Sequence, residues 1–307
     1  MSKILVIGSF MMDLVAKTPR APKEGETIKG LSFSQFAGGK GANQAVAAAK
    51  LGGDVIMTGK VGNDGFGNAQ MQSLKSWGIN TDYIYKDEKE STGIGFITLE
   101  ESGKNRIIII PGANMSFIPD DLVKNKQLID DAEIIILQFE IPMETTYKSL
   151  DLSYEAGKTV ILNPAPSSEI DPDYLRKVTY LILNEVEAKD FTGVDITDKE
   201  NAKKAAVKLL KQGCRNVIIT MGGNGVLFLN DAEEYYVPSH KVNVVDTTAA
   251  GDEFIGAFAY GLQNKYNHKE CTEFANAAAA LSVTRMGSQP SLPTLSEVEE
   301  FVRMNKK

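Results

Sequence analysis

From residue 119 onward, the pattern of hydrophobic and polar positions switches regularly between strand-like and helix-like segments. Short apolar runs, such as 134–137 and 216–220, are separated by longer segments whose apolar positions recur with helical spacing. Such short runs are typical of strands that are buried on both faces of a parallel sheet. The predicted elements are, in order, a helix at 119–128, a strand at 133–137, a helix at 145–156, strands at 159–162 and 180–183, helices at 185–191 and 199–212, and strands at 216–220 and 226–229. The pattern predicts an α/β fold with a doubly wound, mostly parallel central sheet flanked by helices.

The first third of the chain adds strands of a second kind. Its other predicted elements are strands at 3–8, 54–61 and 83–85 and helices at 44–51 and 68–77. Four β-rich segments, at 15–17, 27–36, 92–100 and 104–110, predict a small separate sheet that includes a hairpin. We interpret this sheet as a lid, formed by about 14–37 and 92–111, on a single domain that spans 1–307. Its exposed face is a natural surface for a homodimer.

The last third contains the stretch VDTTAAGDEFIG, which begins at Val245. It follows an extended run at 242–245 and leads into a buried helix at 254–262; two more helices are predicted at 272–283 and 295–304. The small residues at 249–251 let the backbone approach a ligand closely. A helix start is an anion site because its N–H groups are free. Asp252 at this place suits a proton acceptor beside a phosphate, or it simply favours the first turn of a helix.

Charge and composition narrow the class of protein. The net charge of −7 over 307 residues disfavours nucleic acid and anionic membranes as partners. The apolar runs are too short to span a bilayer, and the first residues lead into a strand without a cleavable signal pattern. The two cysteines predict no disulfide framework and fit the cytoplasm. The two histidines make a histidine triad or a histidine-rich metal site improbable, so a carboxylate is the expected base.

Polar residues follow the predicted strands, where an open α/β sheet binds its ligand. Asp13 is expected in the loop after the first strand, and further polar residues at strand exits are Glu140, Asn163, Asn184 and Thr220. The segment GGKGAN at 38–43 lacks the spacing of a Walker A loop, so it either caps a helix or presents Lys40 and Asn43 to a polyhydroxylated ligand. Asn184 and Glu187 share one helix face, which suits a water-mediated magnesium site or a helix cap. TMGGNG at 220–225 is either a turn or a place where the backbone passes close to a nucleotide.

Several of these stretches together resemble the ribokinase branch of the PfkB carbohydrate kinases. They are GGKGAN at 38–43, NPAP at 163–166, NEVE at 184–187, DTTAAGD at 246–252 and GSQPS at 287–291, and they occur in the order typical of that family. The resemblance covers essentially the whole chain. It implies transfer of a phosphoryl group from ATP to the 5-hydroxyl of D-ribose, with Mg²⁺ and K⁺ as cofactors and a pentose as the small-molecule substrate. Phosphoryl transfer depends mainly on positioning and charge stabilisation, which agrees with the interpretation of the helix start.

The resemblance also implies a role for each matching residue. Asp252 is the implied base, and the N–H groups of Ala249, Ala250, Gly251 and Asp252 form the implied anion hole. The implied sugar-binding residues are Met11, Asp13, Gly39, Lys40, Gly41, Asn43 and Glu140. The implied ATP-binding residues are Asn184, Thr220, Met221, Gly222, Gly223, Asn224, Gly225, Gly251 and Asn276. Glu187 is implied to support Mg²⁺, and the implied K⁺ ligands, several of them through carbonyl groups, are Asp246, Thr248, Ser282, Arg285, Gly287 and Ser291.

Two residues depart from the family pattern. Met11 stands where ribokinases often have asparagine, and kinases of 2-deoxyribose resemble this segment as well. Glu253 stands where threonine, serine or alanine is usual, and we expect it to point away from Asp252 because adjacent helical residues are about 100° apart. A sugar sensor without catalytic activity is the alternative of a different class. An NAD-dependent enzyme is disfavoured because no dinucleotide fingerprint follows the first strand.

Overall fold

Strands and helices alternate through most of the chain, and a computed structural model describes residues 3–305. The strands are β1 (Ile4–Ile7), β2 (Met11–Thr18), β3 (Ser32–Gly38), β4 (Val55–Gly62), β5 (Ile84–Asp87), β6 (Gly93–Glu100), β7 (Asn105–Ile110), β8 (Ile134–Leu137), β9 (Thr159–Leu162), β10 (Tyr180–Asn184), β11 (Asn216–Thr220), β12 (Val226–Asn230) and β13 (Glu234–Val237). The helices are α1 (Lys40–Lys50), α2 (Gly65–Ser76), α3 (Pro119–Lys124), α4 (Lys126–Asp131), α5 (Met143–Glu155), α6 (Pro172–Leu175), α7 (Glu185–Thr192), α8 (Lys199–Lys211), α9 (Ala250–Gln263), α10 (His268–Ser282) and α11 (Leu295–Asn305).

Nine strands of residues 3–305 form the central sheet, in the order β13-β12-β11-β10-β9-β8-β1-β4-β5. The pairs from β11 to β5 are parallel, and β12 and β13 add antiparallel pairs at one edge. Both faces are buried, since Ile4 and Val6 of β1 pack in the core under α1, α9 and α10, whereas Leu5 and Ile7 pack in the core under α5, α7 and α8. The predicted doubly wound, mostly parallel α/β fold is confirmed.

A second sheet is built from four strands of the described chain, in the order β3-β2-β6-β7. Strands β6 and β7 form the predicted hairpin, β2 pairs parallel with β6, and β3 pairs antiparallel with β2. The predicted small sheet is therefore present, but its bounds differ. Strand β2 begins at Met11, earlier than predicted, and β3 begins only at Ser32, because its partner β2 ends at Thr18 and Lys17 pairs with Ser32.

Two predicted elements are wrong. The single helix at 119–128 is two short helices, α3 and α4, which meet at Asn125; there the backbone leaves the helical region (ψ 28°) and the side chain donates to Tyr85 Oη at 2.7 Å. The extended run at 242–245 is not a strand. Val244 and Val245 are exposed, and the N–H of Val245 donates to the carbonyl of Val283 in the turn after α10 instead of to a neighbouring strand. Valine favours strands only where a partner strand is available.

The chain contains no helix within residues 3–305 that is both long and apolar enough to cross a membrane. Both cysteines are buried free thiols: Cys214 lies before β11, and Cys271 lies in α10.

Candidate active site

The start of helix α9 faces a polar cavity of about 190 Å³. Ala249 precedes the helix with a φ of 60°, the left-handed conformation that non-glycine residues rarely adopt. The N–H groups of Gly251 and Asp252 have no acceptor among residues 3–305, as expected for the first turn of a helix. A Cβ added at Gly251 would meet nothing within 4 Å, so the backbone there is open to the cavity. The lining residues are Lys40, Asn163, Ile182, Leu183, Asn184, Glu187, Thr220, Thr247, Ala249, Ala250, Gly251, Asp252 and Ile255.

Asp252 is held by the neighbouring helix and does not cap its own. Its carboxylate oxygens accept hydrogen bonds from Nδ2 of Asn43 (2.9 Å) and Nε2 of Gln44 (3.0 Å), both on α1. These bonds require a close crossing of α1 and α9. A Cβ at Gly256, one turn after Asp252, would lie 2.4 Å from Cβ of Ala47, so only glycine fits there. Asp252 does lie in the first turn of α9, where an acidic residue is favourable, but its side chain makes no capping hydrogen bond to that helix within residues 3–305.

The glycines around Lys40 let α1 begin directly against the end of β1. Gly39 has a φ of 92°, and a Cβ at Gly41 would lie 2.5 Å from the backbone nitrogen of Ser9. The N–H of Lys40 donates to Oε2 of Glu140 at 2.9 Å, and the Ser9 hydroxyl donates to the same carboxylate oxygen. The segment therefore places Lys40 at the cavity, with the Glu140 carboxylate hydrogen-bonded to the Lys40 backbone.

Carboxylates and one lysine dominate the electrostatics of this region. Burial raises the pKa of Asp252, and Lys40 opposes that rise. Burial likewise raises the pKa values of Glu140 and Glu187, again against the influence of Lys40. Burial acts to lower the pKa of Lys40, but Asp252, Glu140 and Glu187 outweigh it, so that the pKa of Lys40 rises. The cavity thus combines a positively charged lysine with a carboxylate whose proton affinity is increased, as a general base requires.

Met11 and Asp13 lie on strand β2 of the second sheet, so the expected position of Asp13 in a loop is wrong. After β1 the chain crosses directly into the second sheet, where Asp13 pairs with Gly95 of β6. Met11 and Asp13 share one face of β2 because side chains alternate along a strand. Neither residue lines the cavity at the helix start. Met11 is buried, and Asp13 accepts a hydrogen bond from Ser288 Oγ at 2.7 Å.

Asn184 and Glu187 form a reciprocal cap at the start of α7. The Asn184 side chain accepts from the N–H of Glu187 at 2.9 Å, and the Glu187 carboxylate accepts from the N–H of Asn184 at 3.0 Å. Both residues also line the cavity. A carboxylate that faces a polar cavity fits Mg²⁺, which keeps several waters and uses few protein ligands. Among residues 3–305, no three or more acidic, histidine or cysteine side chains gather into a metal cage.

The residues predicted to bind ATP are only partly gathered at the cavity. Asn184, Thr220 and Gly251 line it, whereas Met221 is buried behind it. Residues Gly222–Asn224 form an exposed 3₁₀ turn, followed by Gly225 with a φ of 87°. Asn276 lies on α10, where its Nδ2 donates to the carbonyl of Pro238 at 2.9 Å.

The residues predicted to bind potassium meet where the turn before α9 contacts the turn after α10. Asp246 Oδ1 accepts from the N–H of Thr248 at 2.9 Å, and Asp246 Oδ2 accepts from the N–H of Gly287 at 2.9 Å. The Ser291 hydroxyl donates to the carbonyl of Ser288 at 2.8 Å. The N–H of Asp246 donates to the carbonyl of Val283 at 3.2 Å, in the turn that contains Ser282 and Arg285. The Arg285 side chain pairs with Glu297 at 2.6 Å. The Asp246 carboxylate at this junction accepts from N–H groups and a hydroxyl, and its oxygen atoms are of the type that binds hard cations.

Three residues that make polar contacts in the site, Gln44, Ser9 and Ser288, were not predicted from the sequence as site residues. Gln44 was interpreted only as a helix residue, yet it bonds Asp252 and accepts from Gln138 at 2.6 Å. Ser9 and Ser288 bond Glu140 and Asp13, respectively. Gln44 carried one signal, a polar residue at a position that an amphipathic helix would bury. Ser288 lies in the segment GSQPS but was given no role of its own, and Ser9 carried no signal, since serine is common in turns.

Comparison with known proteins places this architecture in a family. The sequence model of the pfkB family of carbohydrate kinases matches residues 1–295. A deoxyribokinase of Salmonella typhi is 40% identical over 304 residues, covering 99% of both chains. A ribokinase of Mus musculus is 40% identical over 295 residues, covering 94% of this chain and 91% of its own.

A solved structure agrees with these sequence matches. The structure of Arabidopsis thaliana ribokinase complexed with ribose and ATP is 34% identical and covers 99% of both chains with a TM-score of 0.93. Such agreement over the full length establishes the fold and the family together. The chain therefore belongs to the pfkB carbohydrate kinases, as a sugar kinase of the ribokinase family.

Proposed function

We propose that the protein transfers the γ-phosphoryl group of ATP to the 5-hydroxyl of D-ribose, giving D-ribose 5-phosphate and ADP in the cytoplasm. One observation carries this proposal: the Asp252 carboxylate, the free N–H groups of the α9 start and Lys40 face the same cavity. A base, an anion hole and a cation at one place are what phosphoryl transfer to a hydroxyl requires. The relatives named ribokinase and the ribokinase structure with ribose and ATP support the choice of substrates.

Each residue has a defined part in this reaction. Asp252 accepts the proton of the sugar hydroxyl, and Asn43 and Gln44 keep its carboxylate oriented. The N–H groups of Gly251 and Asp252 stabilise the charge of the transferred phosphoryl group, and Lys40 adds a positive charge.

The remaining predicted ligands complete the proposal. Asp13, Glu140 and the glycines around Lys40 bind the sugar, with Asp13 reaching it from the second sheet, which acts as a lid. Asn184, Asn276 and the segment from Thr220 to Gly225 bind ATP. Glu187 would hold Mg²⁺ through water, and the ion would neutralise phosphate charge when bound.

2-Deoxyribose is the alternative substrate, favoured by Met11 and by the similarity to a deoxyribokinase. Met11 is buried on the same strand face as Asp13, and its thioether is a poor partner for a hydroxyl. We therefore expect kcat/KM for 2-deoxyribose to lie within about 10²-fold of that for ribose, because the loss of one hydrogen bond has a modest effect. Met11→Asn should widen the difference in favour of ribose, and Met11→Leu should leave it unchanged.

A side-by-side assay of ADP release with ribose, 2-deoxyribose, fructose and adenosine decides among these functions. Good turnover of ribose without any of 2-deoxyribose would contradict the argument from Met11, whereas clear preference for 2-deoxyribose would make it the main substrate. Sugar binding without turnover of any substrate would favour the non-catalytic sensor instead.

Potassium is proposed as a second cofactor at Asp246, Thr248, Ser282, Arg285, Gly287 and Ser291. Because the Asp246 turn leads directly into the start of α9, a cation there would support the anion hole. Replacing K⁺ with Na⁺ at constant ionic strength should lower kcat, and Asp246→Ala should abolish the difference between the two salts. Equal rates in both salts with the unaltered protein would contradict a potassium site.

A homodimer through the second sheet is proposed from its outer apolar face, which comprises Phe33, Phe96, Ile108 and Ile110. Strand register places these side chains on the face opposite Asp13, and Phe33 and Ile108 are 58% and 61% exposed. An apolar patch beside β7, an edge strand of this sheet among residues 3–305, suits a second copy of the sheet. Sedimentation should show a dimer at micromolar concentration, which Ile108→Lys disrupts and Val186→Lys, an exposed change on α7, does not. A monomeric wild-type protein would contradict this assembly.

A further inference from the structure

The Asp13 carboxylate occupies a tightly bounded space in the second sheet. A Cβ added at Gly38 would lie 2.5 Å from Asp13 Oδ2, and one at Gly95 would lie 2.9 Å from Oδ1. The neighbouring strands β3 and β6 thus leave room for this carboxylate only because both positions are glycine. The side chain is confined sideways, and its remaining freedom is rotation about its own bonds.

One hydrogen bond restrains that rotation. Ser288 Oγ donates to Asp13 Oδ2 at 2.7 Å, and no other donor contacts this carboxylate within residues 3–305. Ser288 is only 2% exposed, so water does not readily replace its hydroxyl. The two residues are 275 positions apart in the chain, so the bond joins the second sheet to the turn that follows α10.

The turn that carries Ser288 is itself held in place. The carbonyl of Ser288 accepts from the Ser291 hydroxyl at 2.8 Å, and the N–H of Gly287 donates to Asp246 at 2.9 Å. Ser73 Oγ donates to Oε1 of Gln289 at 2.7 Å. A donor on a fixed turn restrains its acceptor more strongly than a donor on a mobile loop, because less freedom remains to be lost.

The surroundings of Asp13 favour its protonated form, and the hydrogen bond from Ser288 opposes this effect. Burial, together with the carboxylates of Glu140, Asp252 and Asp246, raises the pKa of Asp13 from 3.8 to about 6. The hydrogen bond from Ser288 acts in the opposite direction, because it stabilises the ionised form.

We infer that Ser288 is a positioning residue for the sugar: it keeps the Asp13 carboxylate oriented toward bound sugar and able to accept hydrogen bonds from sugar hydroxyls. This inference rests on the proposed sugar-binding role of Asp13. It also means that the turn carrying Gly287 is connected to two parts of the active site. Ser288 connects it to the sugar through Asp13, and Gly287 connects it to the segment before α9 through Asp246.

The variant Ser288→Ala tests this role. We expect the KM for ribose to rise about 3- to 10-fold, the range for one hydrogen bond, with kcat and the KM for ATP within about twofold of wild type. The acid limb of the profile of kcat/KM against pH should move to higher pH. Ser288→Thr, which retains the hydroxyl, should restore both properties. Ser168→Ala, an exposed change between β9 and α6, is the matched control and should change neither.

A second measurement needs no catalysis. The carboxyl carbon of Asp13, assigned in carbon-13-labelled protein with the help of Asp13→Asn, should titrate at higher pH in Ser288→Ala than in wild type. An unchanged titration, or a fall in kcat with an unchanged sugar KM, would overturn the inference. A wild-type protein that phosphorylates none of the sugars would overturn the proposed function instead, while the titration would still decide whether Ser288 controls Asp13.

Discussion

Replacing Asp252 with asparagine should lower kcat by at least about 10²-fold and leave sugar binding within a few-fold of wild type. An amide cannot accept the proton of the sugar hydroxyl. It retains the size of the carboxylate, so the close crossing of α1 and α9 should persist. The measurements are ADP release under saturating substrates and calorimetric titration with ribose.

The surroundings of Asp252 explain why this variant should fold. Asn43 and Gln44 both donate to the carboxylate, so an introduced amide would oppose one of these donors. Asn43 Oδ1 is buried without a partner within residues 3–305, so a rotation of the Asn43 amide supplies the missing acceptor. Turnover within tenfold of wild type by the folded variant would show that another group takes the proton. Asp130→Asn, at the exposed surface of α4, is the matched control and should retain full activity.

Replacing Glu253 with glutamine should remove a large pH dependence of stability. Glu253 is fully buried, and neither carboxylate oxygen has a hydrogen-bond partner within the described residues. Lys50, a charge that favours ionisation of Glu253, donates instead to the carbonyls of Gln289 and Leu292. Burial, with a further contribution from Asp252, therefore raises the pKa of Glu253 from 4.5 to about 8.

The sign of the effect follows from proton binding. Below about pH 4.5 both folded and unfolded chains carry the proton on Glu253, so the group has no effect on the free energy of unfolding. Between about pH 4.5 and 8 the unfolded chain loses this proton while the folded protein retains it, so the wild type loses stability as pH rises. The full loss is on the order of 3–5 kcal/mol, because each pKa unit corresponds to about 1.4 kcal/mol.

Denaturant unfolding at pH 5 and pH 8 measures this effect. The stability of Glu253→Gln relative to wild type should increase between the two pH values by several kcal/mol. The uncharged amide also lacks a partner, but that cost is the same at both pH values. Glu155→Gln, an exposed change on α5, should follow the wild type. An equal difference at pH 5 and pH 8 would mean that Glu253 is ionised in the folded protein. Glu253 does not line the cavity, in agreement with the expected direction of its side chain.

Local patterns in the sequence were sufficient to predict most elements and the fold class. The apolar runs of β8, β9 and β11 and the hairpin of β6 and β7 were predicted close to their observed bounds. Lys40, Glu187 and Asp252, each indicated by a motif, line the cavity, whereas Asn43, indicated by the same motif as Lys40, does not. These predictions succeeded because apolar periodicity and the small residues before a helix depend only on residues that are close together in the sequence.

Only the tertiary structure decided which distant residues meet. The bonds of Gln44 to Asp252 and of Ser288 to Asp13 join positions 208 and 275 residues apart, and no local pattern specifies such a contact. The same reason explains the failure at 242–245, where the valines suited a strand but no strand of residues 3–305 pairs with them. The sequence by itself determined the elements, the family and the chemistry of the helix start. Packing of α1 against α9, and of the turn after α10 against the second sheet, decided how the carboxylates are oriented, because orientation depends on groups that are adjacent only in the folded protein.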